Sequence, residues 1–258
     1  MLMEQKESKT LSSKENEQIW RYIDFSKYID LLITSELHFA RADTFEDPFE
    51  CSFSLFQDDN VRRTFLNNAN IKEQYIQLHN FCQLFAYLNC WHINDVQSAA
   101  LWKLYSENEY ETIAIQSTFG KLKSELSSSQ YRIHISKIHY DPENAGTPIP
   151  GNPTGKSFTG IDKITYKRKS FEHEKELRTF IYDADDEIKA IESKYEVEQL
   201  KIQRPNNIRI KINPSKLIEN VYVGPFSKDW FVKLVENVSC KFGIDKNRVH
   251  RSNLYGLY

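Results

Sequence analysis

Apolar residues in this chain arrive in short bursts, many of them alternating with polar ones, and that patterning restricts the fold more than any single motif. Tyr131-Arg132-Ile133-His134-Ile135-Ser136-Lys137-Ile138 alternates at the period of a strand with one wet side. Glu36-Leu37-His38-Phe39-Ala40-Arg41 alternates too, placing Leu37, Phe39 and Arg41 on one face. Further strands are expected at Ile19-Trp20-Arg21-Tyr22, at the end of 81–91, at 112–115, 163–167, 171–182, 208–212, 221–223 and 248–254. Helical spacing appears between them. Asp24 or Ser26 caps a segment with Tyr28, Leu31 and Leu32, and Asp95 or Ser98 caps one with Leu101, Trp102, Leu104 and Tyr105. Residues 59–80 and 227–240 also read as helices, whereas the acidic 183–187 reads as a turn into a helix or extended arm ending at Pro205. The expected class is α+β: a single compact domain over 18–258, mixed or antiparallel short-stranded sheets with flanking helices, behind a flexible polar tail at 1–17.

With 258 residues, 40% of them hydrophobic, the chain can bury roughly three quarters of its unfolded surface, so wholesale disorder is excluded. Lys plus Arg (34) nearly balance Asp plus Glu (36), so a nucleic-acid partner would need a local basic patch. Cys51, Cys82, Cys90 and Cys240 form no CxxC pair, and the opening residues contain no secretory apolar region. Reduced thiols and a cytoplasmic location follow as expectations. Apolar stretches fall short of the ~20 residues that cross a bilayer, so no membrane partner is expected. Between 141 and 159, Pro142, Gly146, Pro148, Pro150, Gly151, Pro153 and Gly155 crowd a segment expected to be a mobile loop or lid.

No phosphate-binding glycine loop, dinucleotide fingerprint or serine-nucleophile elbow occurs, and the histidines lack zinc-site spacing, so no metal cofactor is expected. Carboxylates are the remaining concentration of chemistry. As a strand, Glu172, Glu174, Glu176 and Arg178 share a face, with neighbours ~7 Å apart, and such a row needs a cation or polar cleft. The same residues also read as a solvated helix, with Glu174 and Arg178 an i,i+4 pair. In Asp47-Pro48-Phe49-Glu50, Asp47 is expected to accept turn amides.

Five motifs in order carry a resemblance: Trp20-Arg21-Tyr22, Leu37-His38-Phe39-Ala40-Arg41, Phe45-Glu46-Asp47-Pro48-Phe49-Glu50, Leu101-Trp102-Lys103-Leu104-Tyr105 and Glu174-Lys175-Glu176-Leu177-Arg178. Together they resemble the bacterial family catalogued as domain of unknown function 2971, over 19 to about 225. Glu46 stands where that family carries Asn, and the Gly that usually follows its W-x-x-Y motif is missing near Tyr110-Glu111. The layout is in turn similar to that of NAD-dependent ADP-ribosyltransferases.

That resemblance implies an ADP-ribosyltransferase-like fold and an enzyme that cleaves NAD as substrate, transferring ADP-ribose to a protein or nucleic-acid acceptor or to water, as a bacterial defence or toxin component. It makes Glu176 and Glu174 catalytic, with Glu176 weighted as the ribose-binding residue. Arg21 and Arg41 would bind the NAD pyrophosphate, and Trp102 and Tyr105 would stack on nicotinamide or wedge their helix against the sheet. Asp47, Glu50 and Arg178 would be structural. Two alternatives stay open: a metal-dependent phosphodiesterase or nuclease gathering Asp43, Asp47, Glu50, Glu174 and Glu176, and a non-catalytic binding or sensor module.

Overall fold

The computed structural model describes residues 15–51, 69–105, 110–140 and 160–256. The polar tail (apart from 15–17), the first part of the helix expected at 59–80 and the 141–159 loop lie outside the described residues. The described strands belong to one mostly antiparallel sheet with flanking helices. The chain divides into two compact units, Met1–His38 with Cys90–Gln130 and Arg209–Tyr258, and Phe39–Asn89 with Tyr131–Ile208.

In the first unit, β1 (Gln18–Asp24) runs antiparallel to β4 (Thr112–Thr118) along its whole length, from Gln18↔Thr118 to Asp24↔Thr112. β4 pairs antiparallel with β8 (Asn220–Val223), and β8 pairs parallel with β9 (Val249–Arg251). Helix α1 (Phe25–Thr34) starts where Asp24 accepts the Lys27 amide at 2.7 Å. It buries Tyr28, Leu31 and Leu32, as their spacing predicts. Helix α3 (Ala99–Leu104) is capped by Ser98 and seats Trp102 edge-on against Tyr22, in a cluster with Trp20, Leu101 and Ala114. Helices α4 (Phe119–Leu126), α8 (Pro214–Leu217) and α9 (Asp229–Lys241) complete the unit; α4 and α8 give too short an apolar pattern to be predicted.

In the second unit, β5 (Ile133–Lys137) pairs antiparallel with β6 (Glu176–Tyr182) from Ile133↔Ile181 to Lys137↔Leu177. The end of β2 (Glu36–Arg41) pairs with β3 (Ala86–Ile93) through Ala40↔Leu88 and Arg41↔Tyr87. Helix α2 (Ala69–Phe85) packs Phe81, Leu84 and Phe85 against Ala190 and Leu200 of α6 (Ala184–Glu192) and α7 (Val197–Gln203). β7 (Asn207–Lys211) follows.

Three expectations in the second unit need correction. The strand expected at 163–167 is helix α5 (Gly160–Thr165), in which Ile161 and Ile164 stand three apart and Ile164 is buried. The acidic 183–187 is the start of α6: Asp183 accepts the Asp186 amide, and Asp185, Asp186 and Glu187 meet the positive end of the helix dipole. The continuous strand expected at 171–182 is a 3₁₀ segment (Lys169–Glu174) followed by β6. Lys175 separates the two in a left-handed conformation, φ 40°. Polar 172–175 has no apolar side to bury, so pairing starts only where Leu177, Phe180 and Ile181 have a core to enter.

Candidate functional site

Glu176 and Arg178 lie two apart on β6 and so point to the same face. Arg178 is fully buried and donates from Nε to Glu176 Oε1 at 2.7 Å and from Nη2 to Oε2 at 3.1 Å, a two-pronged clamp. Its Nη1 donates to the Ile164 carbonyl at 2.7 Å. The Asp47-Pro48-Phe49-Glu50 turn supplies the next carboxylate. Asp47 accepts the Phe49 amide at 3.0 Å, the structural role expected of it, and the turn directs Glu50 inward, 2% exposed. Glu50 Oε1 lies 2.8 Å from Arg178 Nη2, yet no hydrogen bond is aimed at it, so the contact is Coulombic attraction without directed bonding.

Lys167, which the sequence reading did not single out, sits where the carboxylates converge. Its Nζ is 2.6 Å from Glu174, 3.4 Å from Glu176 and 3.6 Å from Glu50. The residues leading to it are fixed by backbone: the Lys167 amide donates to the His139 carbonyl at 3.0 Å. The Tyr140 hydroxyl accepts the Glu176 amide at 2.8 Å. Burial would lower the Lys167 ammonium, but the carboxylates of Glu176, Glu50 and Glu174 overcome it and raise its pKa above the ordinary lysine value. Glu174 moves the opposite way for a carboxylate. Burial first, with repulsion from Glu176 and Glu50, raises its pKa against the attraction of Lys167.

Glu50, Glu174 and Glu176 therefore face Lys167 and Arg178. Glu176 is the inner group, locked from both sides at 5% exposure, whereas the Glu174 side chain, 14% exposed, stands at the outer edge. Next to Lys167, Arg168 donates from Nη2 to Asp47 at 2.8 Å. Its guanidinium lies 4.8 Å from the centre of the Phe49 ring and 5.0 Å from that of Phe171.

The other sequence candidates make different contacts. Arg41 is buried, with Nε and Nη2 on Asp43 at 2.6 and 3.1 Å. Its Nη1 donates to the carbonyls of Arg204, Lys201 and Pro205 at 2.6, 3.2 and 3.4 Å. Arg41 clamps the 201–205 segment, which leaves no open fork for a pyrophosphate. Arg21, Trp102 and Tyr105 belong to the first unit. Arg21 is half-buried, and that burial lowers its pKa against the opposing charges of Cys90 and Tyr105. Trp102 is 4% exposed and wedges α3 into the core, while Tyr105, at the end of the helix, is 50% exposed.

Among the described residues, no group of three or more His, Cys, Asp and Glu side chains is arranged to hold a metal. The carboxylates named for a metal centre separate into Asp43 with Arg41, Asp47 with Arg168, and Glu50, Glu174 and Glu176 about the Lys167 ammonium. No helix in the described chain is long and apolar enough to cross a membrane. Comparison with protein-family models, with curated proteins and with solved structures finds no match to this chain.

Proposed function

We propose that the chain is an ADP-ribosyltransferase-like enzyme that cleaves NAD at the nicotinamide glycosidic bond and passes ADP-ribose to a macromolecule or to water. The observation that carries the reading is the convergence of three buried carboxylates, Glu50, Glu174 and Glu176, about Lys167 and Arg178. Carboxylates gathered in a poorly solvated place stabilise positive charge that develops beside them. The nicotinamide ribosyl group of NAD is cationic, and it passes through an oxocarbenium-like state as the bond breaks.

Glu174, at the outer edge, is the carboxylate that meets this charge. Glu176 acts through its neighbours: clamped by Arg178 and 3.4 Å from Lys167, it positions the Lys167 ammonium beside Glu174. In the reaction the C1′–N bond breaks, its electron pair leaves with nicotinamide, and the acceptor oxygen or nitrogen bonds to C1′. The acceptor's proton passes to the Glu174 carboxylate, whose raised pKa suits it to receive one. The test is incubation of the purified protein with NAD labelled in its adenylate phosphate, with and without cell lysate, following nicotinamide release and labelled macromolecules. Release by the wild type supports the reading; absence of release and of label under every condition leaves the cluster as a structural or binding element.

A further inference from the structure

The turn that carries Glu50 is held from α2. His79 and Gln83 stand one helical turn apart and so lie on one side of that helix. The His79 ring donates from Nε2 to the Pro48 carbonyl at 3.0 Å, and Gln83 donates from Nε2 to the Glu50 carbonyl, also at 3.0 Å. Within the turn the Glu50 amide donates to the Asp47 carbonyl at 3.0 Å, and Cys51 ends it in a left-handed conformation, φ 57°. Held in this way, the turn brings the Glu50 carboxylate to 2.8 Å from Arg178 and 3.6 Å from Lys167.

The two contacts from α2 differ in one respect: the Gln83 amide does not titrate and the His79 imidazole does. A carbonyl only accepts, so the proton of the neutral ring sits on Nε2 and Nδ1 carries a lone pair. Nδ1 is buried without a hydrogen-bond partner. A second proton there brings charge to a place where no hydrogen bond receives it. Burial lowers the ring's pKa, and Lys163 of α5 adds to it against the carbonyls of Pro48 and Cys51 and the Asp47 carboxylate. The other elements packed on α2 bring Glu187 of α6, bonded to Tyr182, Asp43 of the 3₁₀ turn Ala42–Thr44, bonded to Arg41, and Lys201 of α7, 3.9 Å from Asp43. A ring released to water takes up a proton at the ordinary histidine pKa, so acid favours the released ring over the held one. We propose that His79 is a positioning residue for Glu50: its neutral ring holds the turn so that Glu50 reaches Arg178 and Lys167, and its protonation releases the turn and withdraws Glu50 from the cluster. The latch does not depend on NAD being the substrate.

Hydrogen exchange of the Glu50 amide, followed by nuclear magnetic resonance on the full chain without ligand, reads opening of the turn. Rates are corrected for the intrinsic pH dependence of exchange, and the amides of β3 report global opening. Expected from about pH 7 to about pH 5 is a loss of Glu50 protection of at least ~5-fold in the wild type, with β3 unchanged. His79→Gln keeps an N–H donor for Pro48 and cannot titrate, so its Glu50 protection should stay within about 2-fold over the same range. His79→Ala should show low Glu50 protection at both pH values; if it does not fold, His79→Gln decides alone. Glu50 protection that is constant or rises on acidification of the wild type overturns the latch. An equal loss in the wild type and in His79→Gln overturns it too, because the titrating group is then another, such as Glu174.

Discussion

Arg178→Met tests whether the cluster is a charge system or ordinary packing. The substitution keeps much of the side-chain volume and removes a guanidinium that is fully buried. Left behind are Glu176 and Glu50, 5% and 2% exposed, with only Lys167 of the two cations, at 3.4 and 3.6 Å, and the Ile164 carbonyl loses its 2.7 Å donor. Breaking a buried ion pair by removing one partner costs about 3–5 kcal/mol. An orphaned acceptor costs about 1–3 kcal/mol on its own, partly shared with that loss, so about 4–6 kcal/mol is expected at pH 7. At about 2–4 °C per kcal/mol for a chain of this size, the melting temperature falls by roughly 10–20 °C. Urea denaturation followed by circular dichroism measures the loss. Adding Glu50→Gln and Glu176→Gln to Arg178→Met should restore part of the stability, because an uncharged set no longer strands a charge. A loss below about 1 kcal/mol at pH 7, or no recovery in the triple variant, would refute the charge-system reasoning.

Arg41→Met should destabilise by about 3–5 kcal/mol in the same denaturation assay, since Asp43 and the 201–205 carbonyls lose their shared donor, while turnover per folded molecule stays at the wild-type level. Trp102→Ala should cost about 3–5 kcal/mol through the cavity left beside Trp20 and Tyr22, read as a lower melting temperature. His134, stacked on Phe180, has its pKa lowered to about 4 by burial, with Arg132 adding to the effect. Its neutral form therefore contributes stability that is complete above the unfolded pKa of about 6.5 and is lost as pH falls toward 4. Nuclear magnetic resonance titration of the imidazole should show that depressed pKa, and His134→Gln should flatten the stability profile in the same window by about 1–2 kcal/mol, allowing for partial exposure.

Where one face of a segment is buried, the sequence announced the segment. β2 is legible because Leu37, Phe39 and Arg41 alternate with half-buried neighbours, and α1 because Asp24 caps a run whose apolar residues recur at helical spacing. The first part of the strand expected at 171–182 is not one because its charged residues have no buried side, so periodicity carries no information there and the backbone turns at Lys175. Glu50, Glu174, Glu176 and Arg178 were found as separate motifs. Lys167 was not, because Lys167-Arg168-Lys169 looks like a solvated basic run. The available signal was the carboxylates themselves: glutamates brought inward call for a cation, and this run, shortly before Glu174 and Glu176 in sequence, supplies it. Arg41 illustrates the converse, since strand alternation correctly buries it without revealing whether its donors serve a ligand or the chain's own carbonyls.

The central claim is the proposal that Glu174, at the outer edge of the buried carboxylate cluster, stabilises positive charge on the ribosyl group of NAD. Its most direct test is the steady-state rate of nicotinamide release by the wild type and by Glu174→Gln, which keeps the shape and a hydrogen-bond acceptor for Lys167 but removes the charge. The account predicts measurable release by the wild type and a fall in kcat on the order of 10²–10³ in the variant, with KM little changed and the fold intact by thermal melt. Equal kcat values in the two proteins would contradict it.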